Sequence, residues 1–277
     1  RDVTDTIDSV PLITASIISK KAAEGLSALV LDVKTGRAAF MKTQEQAREL
    51  AASMVQTAEG LGIQTVAQLT AMDQPIGTHI GNALEVIESV RVLQGEGSPD
   101  TRELVVLQGA ALLAMTGVSA DRDEGRRRME AVLTNGSALD RFRDMCIQQG
   151  VEEETAQLLV RNPERVVGTA PHQTTVLSER EGYVIDHDAM AMAQLARQHG
   201  AGRFNLEDVI DPLVGMVIET TTGSFVNKNE PILTFFHTQP LDEDDLVVLK
   251  SIATVGPKPP AVRHRLLEVV DLMSTKA

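Results

Sequence analysis

Apolar positions along the chain switch between helical and extended spacing, and the switches mark out its elements. Asp8 and Ser9 are cap candidates ahead of Pro11, and apolar Leu12, Ile13, Ile17 and Ile18 run on until Gly25, which predicts a first helix. "LSALVLDVKTG" (26–36) is a continuous apolar run ending in charge and glycine, the pattern of a strand buried on both faces. "TQEQARELAASMVQTAEGLG" reads as a helix, with Thr43 and Gln46 forming a capping box and Gly60 and Gly62 its stop. A second strand, "IQTVAQLTAMD" (63–73), and a second long helix, "NALEVIESVRVLQG" (82–95), follow. Strand, helix, strand, helix is the order of a parallel sheet joined by crossover helices.

From 101 to 160 the spacing is helical throughout, with Gly117, Gly136 and Gly150 as stops. After "TAPHQTTVLSEREGYVIDHDAM" one short helix is expected, and then the chain turns rich in β-branched residues, Gly and Pro, with alternation in "SFVNKNEPILTFFH". A compact β-rich subdomain is predicted at roughly 170–240. Terminal helices are expected in "DDLVVLKSIATV" and "PPAVRHRLLEVVDLM". The fold class is therefore α/β: a mixed or parallel sheet with crossover helices, followed by a small β-rich C-terminal subdomain.

Composition narrows this picture. The 277 residues are 43% hydrophobic but only 3% aromatic, with no Trp, so the core must be aliphatic. A formal charge of −13 repels nucleic acid and anionic membranes, and "GRRRME" (125–130), flanked by Asp121, Asp123 and Glu124, reads as a solvated helix face rather than a basic patch. The lone Cys146 forms no internal disulfide and sits in a pattern of half-buried helix, so a reducing cytoplasm is the expected compartment. No run of about 18 apolar residues and no leader pattern is present. The start at Arg1, without Met and close to a patterned segment, reads as a fragment of a longer chain or a renumbered one.

Candidate chemistry is sparse. His79, His172, His187, His199, His237 and His264 are scattered without helical pairing, which argues against a zinc site. "GEGSPD" and "HGAGRF" lack the third glycine and leading strand of a dinucleotide fingerprint, and phosphate-loop, nucleophile-elbow and zincin motifs do not occur. What stands out is the opening segment. Ser16 and Lys20 are four residues apart on one helical face, with Lys21 pointing elsewhere, and Arg1 precedes the helix. A guanidinium, a hydroxyl and an ammonium suit a planar ligand with carbonyl oxygens and a ring N–H. The plainer alternative is a lysine complementing the helix dipole beside an exposed serine.

"RDVTDTIDSVPLITASIISKK", "EGLSALVLDVKTGRAAFM" and "LTAMDQPIGTHIGNALEVIES" resemble, in order and spacing, blocks of the thymidine phosphorylase and pyrimidine-nucleoside phosphorylase family. "REGYVIDHDAMAMAQLARQHGAGRFNLEDVID" is similar to a further family block. The resemblance spans nearly the whole chain and about the C-terminal two thirds of a family member. It implies reversible phosphorolysis of a pyrimidine nucleoside to the free base and a pentose 1-phosphate, without an organic cofactor and with inorganic phosphate as the second substrate. By motif, the base-gripping residues are Arg1, Ser16 and Lys20, whose donors stabilise the charge that builds on the departing base.

The resemblance also implies a monovalent cation or calcium held by the backbone carbonyls of Ile76 and His79 and the carboxylate of Glu88; the alternative places Glu88 on the polar face of its helix. It divides the chain into 1–25 from the small helical domain, 26–168 from the α/β domain, and 169–277 as the C-terminal subdomain. The family's phosphate-binding motifs, proposed catalytic histidine and dimer-forming helices correspond to sequence upstream of Arg1, so the 277 residues alone are expected to be inactive and the full-length parent a homodimer. Arg37 and Ala38 stand where the family has small residues in a glycine-rich turn. A non-catalytic binding or structural module of the same descent is the competing reading. A phosphoribosyltransferase of related architecture is disfavoured, because no acidic doublet stands at a strand end to hold Mg²⁺.

Overall fold

The computed structural model describes residues 9–262 and 264–274. In chain order the elements are α1 (Val10–Ala23), β1 (Ala28–Thr35), α2 (Gln44–Gly60), β2 (Gln64–Ala71), β3 (His79–Ile80), α3 (Asn82–Leu93) and α4 (Pro99–Met115). Four further helices follow: α5 (Arg122–Thr134), α6 (Ser137–Gln148), α7 (Glu153–Arg161) and α8 (Pro163–Val167). The remainder is β4 (His172–Leu177), β5 (Gly182–His187), α9 (Ala189–Ala196), β6 (Gly215–Ile218), β7 (Phe225–Val226), β8 (Pro231–His237), α10 (Glu243–Ser251), β9 (Ala253–Gly256) and β10 (Leu266–Val270). These form two compact units, Arg1–Asp73 with Glu103–Glu130 and His264–Ala277, and Gln74–Arg102 with Ala131–Arg263. Among the described residues no helix is long and apolar enough to cross a membrane.

The first unit is built on the expected crossover. β1 and β2 pair in parallel from Ala28 opposite Gln64 to Thr35 opposite Ala71, with α2 as the connection. The predicted capping box is present: Gln46 N–H donates to Thr43 Oγ1, and Gln46 Oε1 accepts from Thr43 N–H. Ile13 and Ile18 of α1 and Leu50, Met54 and Val55 of α2 pack with Leu29, Leu31, Val33 and Leu69 in a buried cluster without an aromatic ring. Removing such area from water contributes roughly 25 cal/mol per Å².

Two expectations fail here. β1 is buried on one face only, because α1 and α2 cover that face while Val30, Asp32 and Lys34 share the other with β2 residues. On this second face Asp32 accepts from Lys34 Nζ at 2.7 Å, from Gln108 Nε2 at 2.8 Å and from the Thr70 hydroxyl, a network that a strand covered by apolar residues on both faces would not carry. The C-terminal "RLLEVVDLM", expected as helix, contains strand β10, antiparallel to β2. Its five residues are too few to show a period, and pairing with β2 decides the conformation. Arg48 of α2 grips Glu268 of β10 through two hydrogen bonds of 2.8 Å, joined by Gln44 at 2.9 Å.

The second unit carries the β-rich part. Its strands make two antiparallel sheets, ordered β3-β6-β8-β4 and β7-β5-β9. Met192 and Leu195 of α9, Met216, Leu233 and Phe235 of the larger sheet, and Leu249 and Ile252 form its buried cluster. "DDLVVLKSIATV" is helical only as far as Ser251, after which Ala253 to Gly256 pair with β5 as β9. α10 opens on a capping box between Asp242 and Asp245. α6 holds Cys146 half-buried, as its spacing predicts, and in the first unit Arg128 pairs with Glu124 at 2.6 Å on the solvated face of α5.

His187, at the end of β5, is 1% exposed; its Nδ1 meets Thr222 Oγ1 at 3.1 Å. Burial pushes its imidazole down to about 4, against the opposing pull of Asp186. With the folded value below that of the unfolded chain, the unfolded state takes up the proton first as pH falls. The neutral ring's stabilisation is therefore present above about pH 6.5 and is lost between there and about pH 4. Its size is up to about 3 kcal/mol. Urea denaturation at pH 7 and pH 4.5 should show His187→Leu losing less stability on acidification than the parent; equal losses would contradict the assignment.

Candidate functional site

The helix α1 offers the first candidate. Ile13, Thr14 and Ile18 face inward, and Thr14 Oγ1 lies 2.9 Å from Ser53 Oγ of α2, which fixes the rotation of the helix. That rotation leaves Ser16 half-buried and Lys20 exposed, one turn apart. Lys21 is held by Glu24, its Nζ donating to the two carboxylate oxygens at 2.9 and 3.1 Å. Among the described residues neither Ser16 nor Lys20 has a side-chain hydrogen bond or ion pair. The face thus presents a hydroxyl and an uncommitted ammonium side by side. Arg1, the third base-binding expectation, lies outside the described residues.

Beyond the ends of β1 and β2, still in the first unit, the two loops interlock. Gly36 has φ +130°, and a Cβ there would lie 2.7 Å from Asp73 Oδ1, so glycine is required for Asp73 to approach. Asp73 Oδ1 accepts from Arg37 N–H at 3.0 Å, and the Arg37 guanidinium donates to the Asp73 carbonyl at 3.0 Å. The arginine that departs from the family pattern is therefore folded along the end of β2. No spacing rule points to Asp73; a glycine followed by a charged residue at a strand end is the only sequence signal.

The second unit holds the other candidate. Glu88 lies on α3 and is 6% exposed, which places it off the polar helix face. Its Oε1 accepts from Thr78 N–H at 2.8 Å and from Thr78 Oγ1 at 3.1 Å, while among the described residues Oε2 meets only the long donor His79 N–H at 3.4 Å. Gly77, at φ +74°, packs so closely that a Cβ would stand 2.2 Å from Oε2. The carboxylate thus gathers the 77–79 turn around itself, bringing Glu88 and His79 together, with Ile76 just ahead of the turn. Thr78 was not legible as a participant: its contribution is a backbone N–H and a hydroxyl, neither of which leaves a spacing pattern.

The charge balance of this cradle is negative. His79 Nδ1 lies 3.9 Å from Glu88, but burial pushes the imidazole below its ordinary value, with Arg91 adding to the effect, so the ring is neutral at pH 7. Arg91 reaches the cradle's edge with Nη1 3.3 Å from His79 Nε2, and its Nη2 donates to Glu164 at 2.6 Å, so its charge is answered by that second carboxylate. A buried carboxylate served by neutral donors, with one oxygen loosely satisfied, fits a hard cation that prefers oxygen ligands.

The family pattern described as "Glycosyl transferase family, a/b domain" matches residues 1–139, and that described as "Pyrimidine nucleoside phosphorylase C-terminal domain" matches residues 183–253. The chain belongs to this glycosyl transferase family. It is 45% identical over 237 residues to the thymidine phosphorylase of Rattus norvegicus, covering 84% of this chain and 50% of the relative. To the pyrimidine-nucleoside phosphorylase of Bacillus subtilis it is 40% identical over 269 residues, covering 96% of this chain and 61% of the relative. The chain therefore spans about half to three fifths of the length of these relatives.

A glycine so close to Glu88 gives a direct test. Gly77→Ala should destabilise the protein by at least about 2 kcal/mol in urea denaturation, combining positive-φ strain with displacement of the carboxylate. A loss below about 0.5 kcal/mol, the range of neutral surface changes, would mean that the turn does not wrap the carboxylate.

Proposed function

We propose that this chain supplies the base-binding portion of a pyrimidine-nucleoside phosphorylase. In that reaction an oxygen of inorganic phosphate bonds to the anomeric carbon as the bond from that carbon to the base nitrogen breaks. The electron pair leaves with the base, whose nitrogen is then protonated. Negative charge accumulates on the base carbonyl oxygens in the transition state, and a fixed ammonium beside them is worth more there than in the ground state. Lys20 carries that role and Ser16 positions the base edge. The observation that carries the reading is the contrast between neighbouring lysines: Lys21 is tied to Glu24, while Lys20 stands uncommitted beside Ser16. The kinship to the rat and Bacillus phosphorylases supports the reaction class.

In an enzyme of the relatives' full length carrying this chain, Lys20→Ala should lower kcat/KM by the equivalent of about 2 to 4 kcal/mol, and Lys21→Ala by far less. Steady-state release of free base, followed by absorbance, measures both. Equal losses in the two variants would reject the Lys20 assignment.

The cradle at Glu88 completes the reading. Glu88 Oε2 with the backbone carbonyls of Ile76 and His79 would hold K⁺ or Ca²⁺, and the bound ion would neutralise the carboxylate and stiffen the 76–88 segment. Native-state binding raises stability by mass action, so the thermal midpoint should rise with added K⁺ or Ca²⁺ in the parent and stay flat in Glu88→Gln. An ion response that survives the substitution would remove Glu88 from the ligand set.

A further inference from the structure

The β-rich part of the second unit contains a cavity of about 470 Å³ that none of Ser16, Lys20, Ile76, His79 or Glu88 lines. One wall is β4, the edge strand of the four-stranded sheet. α10 and β9, the latter at an edge of the three-stranded sheet, supply further lining. Residues 174 to 178 of and just beyond β4 line it consecutively, so the cavity follows the strand rather than one of its faces. An edge strand turns backbone N–H and C=O groups outward with no strand to receive them.

The lining divides by chemistry. Ile232 and Leu249 are buried and Val176 and Val255 half-buried, giving an apolar floor. Arg180 and Lys250 are both exposed and, among the described residues, make no side-chain hydrogen bond or ion pair. Glu179 is the only acidic residue of the lining, so the cavity is net cationic on a chain of charge −13. Local positive charge on a strongly negative protein selects anions at that spot and disfavours them elsewhere. The volume falls in the range of small-molecule sites, about 300 to 1,000 Å³.

We propose that this cavity binds a small organic anion. Its flat or aliphatic body lies against Val176, Ile232, Leu249 and Val255, and its carboxylate, sulfonate or phosphate group is drawn to Arg180 and Lys250. A bare inorganic anion would leave the floor unused, and a neutral apolar molecule would leave both cations unanswered.

The probe is anilinonaphthalene sulfonate, an aromatic body with one fixed negative charge, titrated into the full 277-residue chain labelled at Ile, Leu and Val methyl groups. Saturable shifts should appear at the methyls of Val176, Ile232, Leu249 and Val255. The double variant Arg180→Glu/Lys250→Glu should weaken the dissociation constant at least about tenfold, since attraction becomes repulsion. Both residues are exposed, and an unchanged methyl spectrum without probe verifies the fold. If that variant does not fold, Lys250→Gln should still weaken binding by about threefold through loss of one charge. Saturable shifts confined to other methyls, no saturable shift at all, or undiminished affinity in the charge variants would overturn the proposal.

Discussion

The parallel pairing of β1 with β2 is the constraint from which the first unit follows. Two parallel neighbours cannot be joined by a tight turn, so the chain must leave the sheet and return, and α2 is that return. Packing α2 on one face creates the aliphatic cluster that also captures α1 through Ile13 and Ile18. Parallel strands finish side by side, so Thr35 and Ala71 bring the Gly36 turn within reach of Asp73. The far side of β2 is left to β10, whose Glu268 is clamped by Arg48 of α2. With the rotation of α1 set by this packing, Ser16 and Lys20 emerge on one side without a partner among the described residues.

Two carboxylates show how position decides what a charge does. Glu268 is partly exposed and its bidentate arginine holds it below the usual carboxylate range, while solvent screens the pair. Glu88 is buried and met by a hydroxyl and two backbone N–H groups. The first fastens a strand to a helix. The second organises a turn and retains a negative charge that a cation can answer, which is why a site reading attaches to Glu88 and not to Glu268.

Much of this was legible in the residues, for reasons that differ from element to element. The α2 start was readable because a capping box is local, its two partners three residues apart. The shared face of Ser16 and Lys20 needed only helical geometry. The faces of β1 were not readable, because "ALVLDVK" looks continuous until α2 and Gln108 are seen on opposite sides. β10 is not legible as a strand because its partner lies nearly 200 residues away, Leu266 opposite Thr70, and five residues carry no period of their own. The burial of Glu88 was invisible in "NALEVIESV", since a turn preceding the helix, and not the helix itself, encloses the side chain. Asp73 and Thr78 act through backbone groups and short contacts that no spacing announces.

The proposed grip of the Ser16–Lys20 face on a pyrimidine is open to direct observation. The most direct measurement is a crystal structure of a protein containing this chain with thymine bound. The account places a ring carbonyl oxygen of the base within about 3 Å of Lys20 Nζ, with Ser16 Oγ at the same edge and Lys21 still on Glu24. A base bound without contact to Lys20, or with Lys21 released from Glu24 to reach it, would contradict the account.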